Sequence, residues 1–132
     1  MDITPVNDTA KGPAATFTGD VYVTPLAPAV EPARLTGALV RFTPGARTFW
    51  HTHEQGQTLY VTEGVGLVAS RDGTVSEIRP GDTVTIRAGE EHWHGGTATT
   101  CMSHLALITA SDNDNPTTWL EAVTDEEYAA AQ

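Results

Sequence analysis

The sequence predicts an all-β fold, a double-sheet jelly-roll barrel with short helices at its C-terminal end. Short stretches of alternating apolar residues recur between closely spaced turn signals over about 34–110, while helix signals are confined to the tail. Two His-x-His pairs lie far apart in the chain, and a barrel of this kind would bring their inward faces together.

The elements follow in order. Residues 1–16 are polar and punctuated by Gly and Pro, and read as an arm with little structure of its own. A single domain is expected over 17–132. Its first strand is expected from Phe17 through Val23, before Pro25, Pro28 and Pro32 interrupt the chain. Arg34 to Phe42 alternates, with Ala38, Val40 and Phe42 on one face and Leu39 and Arg41 on the other. Thr43-Pro44-Gly45-Ala46 turns the chain. Leu59 to Thr62 and Leu67 to Ser70 flank the turn at Glu63-Gly64. Asp72-Gly73 marks a hairpin, from which Val75 to Ile78 pairs back. Thr83 to Ile86 is a strand into the second histidine pair. Thr99 to Thr109 is the last long strand, with Met102, His104, Ala106 and Ile108 on one face. The tail, about 116–130, is expected to be helical. Asn115-Pro116 would open a helix over Thr117 to Val123, and Thr124-Asp125-Glu126-Glu127 is a capping box for a second.

Composition narrows the class of function. A chain of 132 residues is long enough to bury a core without staples. The single cysteine, Cys101, excludes an internal disulfide and suits a reducing cytoplasm. No basic start followed by an apolar run, and no stretch of membrane-spanning length, is present. A formal charge of -10 argues against nucleic acid or an anionic membrane as partner. Exposed strand edges on a small barrel favour a homo-oligomer, a dimer or tetramer.

The chemistry concentrates in two stretches. In the first, His51 and His53 stand two apart, so a strand directs both to one point, and Gln57 can add a neutral oxygen donor. In the second, His92 and His94 are again two apart. Four histidines in two matched pairs point to a divalent metal, with His51, His53, Gln57, His92 and His94 as candidate ligands and a small-molecule substrate as its partner. Imidazole and amide donors are all neutral, so the ion would keep its full charge and act as a Lewis acid. Trp50 and Trp93 fall on the opposite faces and pack between layers or subunits. His104, among apolar neighbours, is either a structural histidine bonded to a backbone carbonyl or a catalytic one at the cavity wall.

The spacing resembles the cupin superfamily. Gly45, His51, His53, Gln57 and Gly64 fall at the intervals of the first cupin motif, with Gln where the pattern has Glu. Gly81, Gly89 and His92 fit the second, with Arg87 in place of Pro and Gly96 in place of Asn. A closer resemblance runs through PGARTxWHTHxxGQTLxVTxG, GExHWHG, M-x-HLA and W-x-x-x-VTDEEY, which look like the small manganese-dependent cupin hydroxynitrile lyases. That resemblance implies cleavage of aromatic cyanohydrins such as mandelonitrile, with Mn2+ as the expected ion; Fe2+, Zn2+ or Ni2+ would suit the same donors. It places the metal ligands on His51, His53, Gln57 and His92 and the catalytic histidines on His104 and His94. His104, expected near neutral pKa, would be the base; His94 would donate to substrate or cyanide, or serve the metal shell. The pocket wall falls on Ala38, Val40 and Phe42, joined from the strand pattern by Leu59, Met102 and Ile108. Ile108 stands where those lyases carry a polar residue. Two other classes share the site: a metal-dependent dioxygenase or other oxidoreductase, and a non-enzymatic metabolite-binding cupin.

Overall fold

The computed structural model describes residues 1–112 and 115–132. Its first half runs β1 (Ala10–Lys11), β2 (Phe17–Thr18), β3 (Val21–Pro25), β4 (Leu35–Phe42), β5 (Arg47–Thr48), β6 (His51–His53) and β7 (Gln57–Gly64). The second half adds β8 (Gly66–Ser70), β9 (Val75–Ile78), β10 (Thr83–Ile86), β11 (His92–Gly96), β12 (Met102–Thr109), β13 (Thr117–Trp119) and α1 (Asp125–Ala130). One antiparallel sheet has the order β1-β3-β4-β12-β7-β10. The other seven strands form the second sheet, in which β11 lies between β8 on one side and the β5 and β6 segments on the other.

The two inward faces meet over a core of Val21, Val40, Phe42, Val61, Ile78 and Met102, all nearly inaccessible to water. Each such side chain contributes on the order of 1.5–3 kcal/mol through burial. The alternation that fills this core also directs chemistry inward. In β12, His104 lies opposite Val40 of β4 and Val61 of β7, just after a register shift at Ser103/His104.

A second apolar cluster, Trp50, Leu67, Ala69, Trp93, Val123 and Tyr128, lies on the outer face of the second sheet, under the tail. The two tryptophans thus pack away from the histidines, as their strand positions predict. The tail is pinned by polar contacts as well. Tyr128 donates its hydroxyl to the Gly96 carbonyl at 2.8 Å, and the Arg47 guanidinium lies 4.3 Å over the Tyr128 ring. Arg47 also donates to the Val123 carbonyl and to Asp125. Thr124 and Glu127 close the expected capping box on α1.

Three segments differ from the sequence reading. The stretch expected as a helix over Thr117 to Val123 begins instead as strand β13, paired with β6. Thr and Trp suit a pleated surface, and β6 with the residues flanking it supplies backbone partners along one edge of the stretch. Glu54 donates its backbone N–H to the Pro116 carbonyl, Leu120 to the Trp50 carbonyl, and Trp50 to the Glu121 carbonyl. Tertiary pairing therefore overrides the local first-turn proline signal. The arm at 1–16 contributes Ala10 and Lys11 to the first sheet against Val23 and Tyr22. The single strand expected over Phe17 to Val23 is split, because Gly19, at φ 77°, carries the chain from one sheet to the other.

Candidate metal centre and its histidine pair

Strands β6 and β11 are antiparallel neighbours, and His51 stands directly opposite His92. Residues directly opposite share a face, and His53 lies one period along the same strand. The three rings therefore converge: their candidate ligand nitrogens all lie within 4.8 Å of one another. His51 and His92 are each 1% exposed, and His53 5%. Gln57 reaches the group from the other sheet. The turn at Gly56 makes this possible, since its φ of 79° suits glycine and a side chain there would press on the Ile86 carbonyl.

Each imidazole has its Nδ1 engaged on the side away from the cluster. His51 Nδ1 lies 2.9 Å from the Phe49 carbonyl, His92 Nδ1 2.9 Å from the Glu90 carbonyl, and His53 Nδ1 3.0 Å from the Thr117 hydroxyl. A carbonyl only accepts, so His51 and His92 carry their proton on Nδ1 and keep a lone pair on Nε2. His92 Nε2 then lies 3.2 Å from Gln57 Oε1 with two acceptors face to face, an arrangement that a cation between them would satisfy. His53 Nε2 is buried without a hydrogen-bond partner. These orphaned lone pairs fit a divalent metal, which Nε2 of the three histidines and Oε1 of Gln57 could hold.

Burial keeps the rings neutral. Desolvation, then the neighbouring His92, lowers His53 to a pKa of about 4; desolvation lowers His92 and, with the charge of its neighbours, holds His51 well below the ordinary value. Neutral imidazole is the metal-binding form, so the site is ready for an ion at neutral pH.

Beside the cluster lies a second arrangement. His94, one period along β11 from His92, makes a 3.0 Å hydrogen bond through Nδ1 to His104 Nε2 across the barrel. The outer nitrogens, His94 Nε2 and His104 Nδ1, are buried without hydrogen-bond partners. The Phe42 ring packs against both, at centroid distances of 5.8 and 5.4 Å, and the His51 ring lies 5.2 Å from that of His94. His104 is fully buried, and desolvation lowers its pKa to about 4, below the near-neutral value the sequence suggests. His94 is likewise held well below the ordinary value, by burial first and by His104 next. Two neutral imidazoles sharing one hydrogen bond can pass a proton between them.

A cavity of about 240 Å³ opens against His53 and Gln57 and is lined otherwise by Thr36, Gly37, Ala38, Ala106 and Ile108. Of the six wall residues read from the sequence, Ala38 and Ile108 line it. Val40, Phe42 and Met102 belong to the core beneath, and Leu59 is wholly buried. Thr36, Gly37 and Ala106 line it from β4 and β12, the strands of the expected wall; Ala106 stands on the inward face that the alternation predicts, but period two does not mark it as a wall residue. Thr117 and Trp119, which the sequence places on a tail helix with no role in the site, also belong to it. β13 sets them opposite His53 and His51, and the Trp119 ring lies 4.6 Å from that of His51.

Fold and site together define a small antiparallel β-barrel with a buried histidine centre beside a cavity of small-molecule size. Residues 38–107 match the Cupin domain family model, and the chain belongs to the cupins. It is 52% identical over 118 residues, 89% of either chain, to the (R)-mandelonitrile lyase of Granulicella tundricola. A cupin-like protein of Thermotoga maritima superposes with a TM-score of 0.86 at 35% identity, covering 99% of this chain and 97% of the other. A cupin-2 domain protein of Rhodospirillum rubrum shares the fold at 18% identity and a TM-score of 0.72, over 98% of this chain and 84% of the other. Among the described residues no helix is long and apolar enough to cross a membrane.

Proposed function

We propose that the protein is a metal-dependent hydroxynitrile lyase that splits aromatic cyanohydrins into aldehyde and hydrogen cyanide. The observation that carries the reading is the neutral His94–His104 pair, with an unpartnered nitrogen at each end, beside a cluster of three metal-competent imidazoles. The 52% identity to an (R)-mandelonitrile lyase supports the same chemistry. His51, His53, His92 and Gln57 are the proposed ligands, and Mn2+ is the proposed ion. Held by neutral donors, a divalent ion supplies Lewis acidity and lowers the pKa of a hydroxyl beside it.

His104 is the proposed base and His94 its partner. Neither ring lines the cavity itself; the proposed substrate reaches past His53 and Gln57 to one outer nitrogen, where the neutral pair takes the cyanohydrin hydroxyl proton and shares the positive charge over the 3.0 Å bond. As the O–H electrons form the carbonyl, the carbon–carbon bond breaks and cyanide leaves with its electron pair. The imidazolium so formed is a strong acid in this dry setting, and it returns the proton to cyanide as hydrogen cyanide. Ala38, Ala106 and Ile108 give the substrate an apolar wall next to His53 and Gln57. They exclude water from the substrate side and hold the aryl group.

The exposed Tyr22, Leu35 and Tyr60 lie on the outer face of the first sheet, which suits pairing with a second copy in a homo-oligomer. A His104→Gln variant tests the chemistry. It is expected to bind Mn2+ like the parent while benzaldehyde release from mandelonitrile falls by about 100-fold or more. Full activity in this variant would remove His104 from the mechanism.

A further inference from the structure

We infer that Thr117 is a positioning residue for the metal centre, its hydroxyl setting the tautomer of His53 so that Nε2 presents a lone pair to the cluster. The inference rests on the metal-binding reading above. His51 and His92 each have Nδ1 on a backbone carbonyl two residues upstream, Phe49 and Glu90, so strand geometry alone sets their protons. His53 differs. Its Nδ1 partner is a side-chain hydroxyl 64 positions away, 3.0 Å distant, on a strand outside the 38–107 match to the family.

A hydroxyl both donates and accepts, whereas a carbonyl only accepts. If Thr117 accepts, His53 is protonated on Nδ1 and its Nε2, buried and without a partner, is free to ligate. If it donated, the proton would sit on Nε2 and the cluster would lose one of its three nitrogens. The hydroxyl is itself held in place by backbone. β13 pairs Thr117 with His53 and Trp119 with His51, and the N–H of Glu54 donates to the Pro116 carbonyl at 2.9 Å. Trp119, on the same face, covers His51. The tail is therefore part of the site and acts through the orientation of one ligand.

Thr117→Val keeps the shape and removes the hydroxyl; Thr117→Ser keeps the hydroxyl. Mn2+ affinity is read from the loss of the free-ion electron paramagnetic resonance signal on titration into metal-free protein. Thr117→Val is expected to weaken binding by about 10- to 100-fold, the range for partners that orient a metal-bound histidine, and Thr117→Ser to restore it. Unchanged affinity in Thr117→Val, or equal weakness in both variants, would overturn the inference. Nitrogen NMR of the metal-free chain gives an independent readout. His53 is expected as the Nδ1–H tautomer in the parent and Thr117→Ser, and not in Thr117→Val; the same tautomer in all three would overturn the assignment. Should the parent take up no Mn2+, the metal-binding reading fails while the tautomer comparison still decides the role of Thr117.

Discussion

Mild acid should destabilise the metal-free protein before most of its carboxylates titrate, because it buries neutral histidines at the centre of its barrel. His53 and His104 are lowered to about 4 in the folded chain, against about 6.5 when unfolded. Between these values the unfolded state binds more protons than the folded one, so stability falls as pH falls. From pH 7 to pH 5 the linkage relation gives a loss of about 2 kcal/mol for each of these two buried groups. His51, His92 and His94 are lowered too and act in the same direction. A total of about 4 kcal/mol or more is a large share of the 5–15 kcal/mol typical of a domain. Urea unfolding of the metal-free chain at pH 7, 6 and 5 would measure it. The midpoint is expected to hold above pH 7 and to drop steeply below pH 6.5, with little change in the denaturant slope. A midpoint constant or rising from pH 7 to pH 5 would refute the claim that these rings are neutral and dry.

Two substitutions probe the cavity and the tail. Ala106→Leu places a branched side chain in the cavity against His53 and Gln57; it is expected to leave Mn2+ binding intact and to raise KM for mandelonitrile by about tenfold or more, checked by steady-state kinetics. Tyr128→Phe removes the buried bond to the Gly96 carbonyl and should cost about 1 kcal/mol in urea unfolding, with lyase activity at saturating substrate preserved.

The site was legible wherever strand period alone decides direction. His51 and His53 share a face by spacing of two, as do His92 and His94, and the turn glycine before Gln57 is visible in the chain; that His92 stands opposite His51 is set by strand register. Period two gives a face but not a depth along the barrel. Ala38 therefore lines the cavity while Val40 and Phe42, on the same face of β4, fill the core. The His94–His104 bond joins strands of different sheets, and no local pattern reports that two inward histidines will meet at 3.0 Å. Thr117 and Trp119 were hidden for a stronger reason. Asn115-Pro116 carries a helix-start signal, and pairing with β6 outweighs it only once the barrel exists.

The most direct test of the account is benzaldehyde release from mandelonitrile by metal-stripped protein, before and after Mn2+ is restored, with oxygen excluded and at the lowest pH at which urea unfolding shows the stripped chain still folded, so that the uncatalysed reaction stays slow. The account expects negligible release from the stripped chain and recovery with about one ion per chain, undiminished without oxygen. Release that is independent of bound metal, or no release from a chain shown to hold the ion, would contradict it.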